Sequence, residues 1–251
     1  MDPDAPLGAN PTAWHRHIDP DAWENLYVVG DVHGCLPALD RLLSALAVDA
    51  DDLVLFVGDL VRRGPDSRGV VERIRHAPNM LAVRGNNEEK LLDGRKELPD
   101  LDAEHLDWLA SLPAAVSWKG HRVVHGGVHP DRALREQTPR ALWNRETVED
   151  GGYWWETYRG PRTFFGHKVL DRPLVGAHAV GLDTGCVYGG TLTAFDVRND
   201  RVVSVPGVAH KSSRPAKFLS APAPAGGSLP TPTLDPLAVS AGGDALGTGA
   251  D

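Results

Sequence analysis

Five short runs in this chain set a residue of metal-ligand type beside a glycine: Gly30-Asp31-Val32-His33-Gly34, Gly58-Asp59, Gly85-Asn86, His125-Gly126-Gly127 and Gly166-His167. Asp31, His33, Asp59, Asn86, His125 and His167 together offer carboxylates, an amide oxygen and imidazoles. That mixture suits borderline divalent cations such as Mn, Fe or Zn, whereas Mg and Ca prefer all-oxygen shells. It also exceeds what one open catalytic ion needs. Two ions about 3.5–4 Å apart, bridged by a shared carboxylate and a water, would use the whole set and clamp a phosphorus centre for in-line attack. A lone Gly-Asp is ordinarily a turn, and a histidine beside glycine is ordinarily a satisfied core or turn residue. Five such features, each at a strand end, read together as a metal site.

The elements that must position these residues are legible from periodicity. LYVV (Leu26 to Val29), LVLFV (Leu53 to Val57) and MLAV (Met80 to Val83) read as short buried strands, each followed by one of the polar runs and then by a helical segment. Asp31 and Asp59 are 28 positions apart, and Asp59 and Asn86 are 27 apart, one β-α unit each. Such spacing places the ligands side by side beyond the carboxyl ends of neighbouring strands, where open α/β sheets form their sites. The second half changes character: HRVVHGG, RTFFGHK, AVGLDTG and LTAFDV are β-branched and aromatic runs broken by glycine, which read as strands of a second sheet. The expected class is α/β, with two packed sheets flanked by helices.

Bulk properties bound the function. At 251 residues and 41% hydrophobic, the chain can build one sizeable core and still carry a loose tail. Residues 1–25 are expected to form an arm on the body, residues 26–210 the catalytic domain, and residues 211–251, rich in Ala, Pro and Gly, a disordered tail. A net charge of -8 argues against a partner held by bulk charge, nucleic acid above all, so an anionic substrate must be gripped locally. Cys35 and Cys186 lie far apart, which suits a reducing compartment, although one bridge between them stays open. With no long apolar run and no signal-like start, a soluble cytoplasmic protein without a membrane partner is expected.

GDVHG, GDLVRRG, GN, HGG and GH, in this order from Gly30 to His167, resemble the five blocks of the calcineurin-like metallophosphoesterases. The similarity is to the branch that holds phosphoprotein phosphatases and symmetrical diadenosine tetraphosphatases. It implies two mixed β-sheets packed as a sandwich, with a dinuclear centre at one edge. By this resemblance Asp31, His33 and Asp59 hold the first ion; Asp59 bridges, and Asn86, His125 and His167 complete the second. The two divalent ions are expected to be Mn, with Fe, Zn, Co or Ni as alternatives. Arg63 matches the arginine that grips substrate phosphate, a task suited to its planar fork of donors. Arg145, in LWNRE, is a candidate second clamp, with a solvated surface arginine as the alternative. Gly181 to Val197 is similar to the closing segment of the diadenosine tetraphosphatases; on its residues alone it reads as a hairpin of the second sheet.

One departure matters. Most relatives read G-N-H where this chain has Gly85-Asn86-Asn87, and that histidine is usually assigned as the acid that protonates the leaving oxygen. In the phosphoprotein phosphatases an Asp partners it from the position occupied here by Arg62. An amide at Asn87 cannot replace a group that titrates near neutral pH. An alkoxide leaving from phosphoserine needs a proton, whereas a phosphate leaving from an anhydride, with a second pKa of about 6, can depart without one. Arg62 beside Arg63 adds positive charge for an oligophosphate chain. The expected substrates are therefore dinucleoside polyphosphates or related nucleotides, cleaved by attack of a metal-activated oxygen. Asn87 as a substrate contact, or His129 as an alternative acid, stays open. So does a serine, threonine or tyrosine protein phosphatase. A noncatalytic metal-binding regulatory module is the alternative of a different class. Trp143, Trp154 and Trp155 could stack on a base but read more readily as core.

Overall fold

Every residue of LYVV and of LVLF is buried, because both faces of their sheet are covered. Leu26, Val28, Leu53, Leu55 and Val57 point into a core shared with the second sheet. Their alternates Tyr27, Val29, Val54 and Phe56 point into a core shared with helices. A strand buried on both faces reads as a continuous apolar run.

The computed structural model describes residues 2–9, 14–144, 151–208 and 218–222. Its strands are β1 (His15–His17), β2 (Leu26–Val29), β3 (Leu53–Phe56), β4 (Met80–Ala82), β5 (Ala115–Trp118), β6 (His121–Val124), β7 (Arg162–Phe165), β8 (Leu174–Val175), β9 (Ala179–Gly181), β10 (Thr191–Asp196) and β11 (Arg201–Pro206). Its helices are α1 (Leu36–Ala45), α2 (Ser67–Arg75), α3 (Asn86–Leu92), α4 (Ala103–Ser111), α5 (Pro139–Asn144) and α6 (Trp154–Thr157). They form a five-stranded sheet, β11-β10-β2-β3-β4, and a six-stranded sheet, β1-β5-β6-β7-β9-β8. Both sheets are mixed and helices flank them, the expected two-sheet α/β architecture. No helix among the described residues is long and apolar enough to cross a membrane.

Two parallel sets position the site. In the first sheet β2, β3 and β4 run parallel; in the second, β6, β7 and β9 do. Helices α1 and α2 supply the returns between β2, β3 and β4, burying Ala38, Leu39, Leu42 and Leu43 from one and Val70, Val71 and Ile74 from the other. Asp66 caps α2 by accepting from Gly69 N–H at 2.7 Å.

The structure differs from expectation in three places. LTAFDV, placed in the second sheet by sequence, is β10 and pairs antiparallel with β2 in the first. Cys186–Tyr188 is therefore a short 3-10 turn on a crossover between sheets, where a hairpin was expected. His15–His17, expected in an arm, is the edge strand β1, paired parallel with β5, and Leu7 and Trp14 are buried against the second sheet. Within the expected tail, Leu219 bridges to Leu170 and Ala221 is buried; residues 211–217 and 223–251 lie outside the described residues. Alanine and proline composition hides such single apolar anchors.

Candidate metal centre

The residues just beyond the carboxyl ends of β2, β3, β6 and β7 converge on Asp59. One of its carboxylate oxygens, Oδ1, lies 3.3 Å from His125 Nε2, and the other, Oδ2, lies 3.6 Å from His33 Nε2. Asp31 Oδ2 lies 3.9 Å from the same His33 nitrogen. On the far side, the His125 and His167 rings are 5.1 Å apart, and Asn86 Nδ2 donates to His167 Nδ1 at 3.0 Å. All six residues expected as ligands are thus gathered in one place, with Asp59 in the middle. Arg145 lies outside the described residues.

The group fits divalent cations. Ligand atoms of Asp31, Asp59 and His125, all three buried, lie within 4.8 Å of one another. His125 Nδ1–H donates to Val57 O at 2.9 Å and His33 Nδ1–H to Val61 O at 3.2 Å. Since a carbonyl can only accept, both rings keep an Nε2 lone pair turned toward Asp59, the arrangement of a ligating imidazole. His125 Nε2 is buried without a hydrogen-bond partner among the described residues. Burial pushes both imidazoles down to about 4, so they stay neutral at physiological pH. Burial alone would raise Asp59, but His125 and His33 hold it well below the usual carboxylate range. Asp31 is driven the other way, by burial and then by Asp183 and Asp59. Crowded carboxylates that cannot all ionise cheaply are relieved by a cation.

Holding these loops in place costs strain. His33, Asp59, Arg62, Arg63 and His167 have φ of 50°, 50°, 70°, 73° and 68°, left-handed values that non-glycine residues avoid. Each costs roughly 1–3 kcal/mol, and such strain concentrates at functional sites. Close approach also explains two glycines: a Cβ at Gly166 would strike the Asp31 carboxylate, and one at Gly85 would strike the Asp59 backbone nitrogen.

Glu88, overlooked in the sequence, is the clamp. Fully buried, it accepts from the backbone N–H of Asp59 (2.9 Å) and Gly85 (2.8 Å) with Oε2, and from Leu60 (2.8 Å) and Val61 (3.2 Å) with Oε1. It thereby ties the Asp59 loop to the start of α3. The signal was present: Glu88 is the third helical residue after Gly85, the capping-box position. Asp183 was overlooked too, although it follows β9 as Asp31 follows β2; burial pushes it up to about 6. No local signal marks Tyr188. Its hydroxyl accepts from Arg63 Nη1, and the guanidinium carbon lies 5.8 Å from its ring centroid.

Asn87 and Arg62 meet. The Asn87 side-chain oxygen accepts from Arg62 Nη1, its Nδ2 donates to Asp59 Oδ2 and, at 2.9 Å, to Asn86 Oδ1, and its backbone N–H donates to Asp59 Oδ1 at 2.8 Å. His129 is occupied in its own turn, where Nδ1 accepts from Asp131 N–H at 3.2 Å. Trp143, Trp154 and Trp155 are buried core residues.

A family model described as calcineurin-like phosphoesterase matches residues 25–181, and the chain belongs to that family. It is a hydrolase by that membership. Serine/threonine-protein phosphatase 1 of Salmonella typhimurium is 31% identical over 73% of this chain and 96% of its own length. A symmetrical bis(5'-nucleosyl)-tetraphosphatase of Ralstonia nicotianae is 29% identical over 67% of this chain and 87% of its own. Among solved structures, one titled a putative diadenosine tetraphosphatase superposes with a TM-score of 0.71 at 31% identity, covering 78% of this chain and 99% of that one.

Proposed function

We propose that the protein hydrolyses phosphoanhydrides of dinucleoside polyphosphates, of the diadenosine tetraphosphate kind, at a centre of two divalent cations, Mn first among them. The Arg62–Asn87 pairing carries this reading: where the resemblance implies an acid, partnered by an Asp in the phosphoprotein phosphatases, this chain sets an amide and a permanent cation. A leaving phosphate is already a weak base and needs charge stabilisation more than a proton. Arg62 supplies that charge, and Arg63, anchored on Tyr188, holds the phosphate oxygens.

In this assignment Asp31, His33 and Asp59 would hold one cation, and Asp59, Asn86, His125 and His167 would hold the other. Bound there, the cations would supply Lewis acidity and lower the pKa of water enough to make a nucleophile at neutral pH. The protein's own part is to fix geometry. Glu88 holds the Asp59 loop, the His33 and His125 carbonyl partners fix the imidazole tautomers, and the two arginines orient the oligophosphate.

Protein phosphatase activity is the second reading, favoured by the identity to the Salmonella enzyme. The absent acid weighs against it, because an alkoxide leaving group would lose about 10²–10⁴-fold in rate. Purified protein supplied with Mn is expected to turn over diadenosine tetraphosphate to two ADP, and Asp59→Asn to abolish the reaction. Absence of metal-dependent hydrolysis of any phosphate substrate would instead favour a noncatalytic metal-binding module.

A further inference from the structure

Three aromatic rings stack outward from the end of β7. Phe165, fully buried at the end of β7, stacks on Trp155 with centroids 5.1 Å apart and planes at 21°. Trp155 stacks on Tyr153 at 4.4 Å and 4°. Tyr153, only half-buried, is the outermost ring of the column among the described residues. Lys168 Nζ lies 5.7 Å from the Tyr153 ring centroid.

Two tethers fix where this column surfaces. Trp154, next in sequence to Tyr153, is fully buried, and its Nε1–H donates to Gly126 O at 3.1 Å, in the loop that carries His125. Lys168 directly follows His167, so their Cα atoms are about 3.8 Å apart. Tyr153 therefore stands beside both loops that bring in the later pair of imidazoles, whose rings are 5.1 Å apart.

We propose that Tyr153 is the stacking platform for one nucleobase of the substrate, with Lys168 at its rim for the adjoining phosphate; this rests on the nucleotide substrate proposed above. A ring backed by two parallel rings is held rigid before a ligand arrives, so little ordering cost remains on binding. A purine would add as the next ring of the column. Stacking tolerates any base, because each presents a π face. The lysine stem is flexible, so its ammonium can leave the ring for a phosphate oxygen while the base takes its place.

The test compares wild type, Tyr153→Ala and Tyr153→Phe, each with Mn, on diadenosine tetraphosphate and on p-nitrophenyl phosphate. The inhibition constant of ADP against p-nitrophenyl phosphate turnover is measured alongside. Alanine is expected to raise the ratio of the two KM values about tenfold with kcat for the dinucleotide within about twofold, and to weaken ADP inhibition about tenfold. Phenylalanine, which keeps the ring, is expected to stay within about twofold of wild type in each. KM values that move in step, or a ratio unmoved by alanine, would overturn the proposal. Should the wild type turn over p-nitrophenyl phosphate and not the dinucleotide, the proposed substrate fails. ADP inhibition then decides the platform alone: a tenfold loss with alanine supports it, and equal constants overturn it.

Discussion

Arg62 Nη1 donates to the Asn87 side-chain oxygen, so a permanent cation and an amide meet beside the candidate metal centre with no titratable group between them. The same Asn87 side chain donates to Asp59 Oδ2, which links the pair directly to the central carboxylate.

Restoring the acid should redirect the enzyme. The double variant Arg62→Asp with Asn87→His is expected to raise kcat on a phosphoserine peptide by about 10²–10⁴-fold and to slow cleavage of the dinucleotide. Both rates are read from product formation over time. A peptide rate that fails to rise would mean that the missing acid is not what limits alkyl phosphate cleavage.

Tyr188 acts through Arg63. Removing only its hydroxyl, in Tyr188→Phe, deletes one hydrogen bond to a charged group and is expected to lower kcat/KM about tenfold. Arg63→Ala should cost more, about 10²–10³-fold, because the phosphate then loses its donor outright. Equal losses in the two variants would contradict this order.

Glu88→Gln keeps the shape of the side chain but halves its acceptors. The amide nitrogen would face backbone N–H groups that now find a carboxylate oxygen, so unfolding free energy should fall by about 3 kcal/mol, measured by denaturant titration. Apparent Mn affinity should weaken with it, since the Asp59 loop loses its tie to α3. A variant as stable as wild type would show that the clamp is dispensable.

Metal binding should follow carboxyl protons rather than those of His33 and His125. His33 and His125, held at about 4, have no proton to give up above pH 5. Asp31 is raised by burial and by Asp183, and Asp183 itself stands at about 6, so the folded protein keeps carboxyl protons that a cation must displace. The sign follows: a raised acid competes with metal until pH passes its pKa, so Mn affinity should climb as pH rises through about 6. Asp183→Asn removes one cause of the rise in Asp31 and should shift the climb to lower pH. Calorimetric titrations across pH measure both.

The site was legible because its chemistry sits in contiguous blocks at strand ends. Asp31, His33, Asp59, Asn86, His125 and His167 each follow a buried strand, and strand direction does the rest of the work of gathering them. Asp183 obeys the same rule after β9 and was overlooked because its segment was read as a hairpin. What sequence could not show were pairings across distance. Tyr188 and Arg63 are 125 positions apart, β1 finds β5 only in the folded sheet, and Tyr153 becomes a platform only once Trp155 lies beneath it. Sequence places β10 in the second sheet and the structure places it in the first, because alternation reveals a strand's faces and not its neighbours.

The most direct test is a side-by-side assay of the Mn-loaded protein on diadenosine tetraphosphate, a phosphoserine peptide and a phosphotyrosine peptide, with products separated by chromatography. Rapid conversion of the dinucleotide to two ADP, with both peptides nearly inert, is the predicted result. Hydrolysis of the serine peptide at the same rate would contradict it, because the proton for an alkoxide would then have to come from a group other than the Asn87–Arg62 pair.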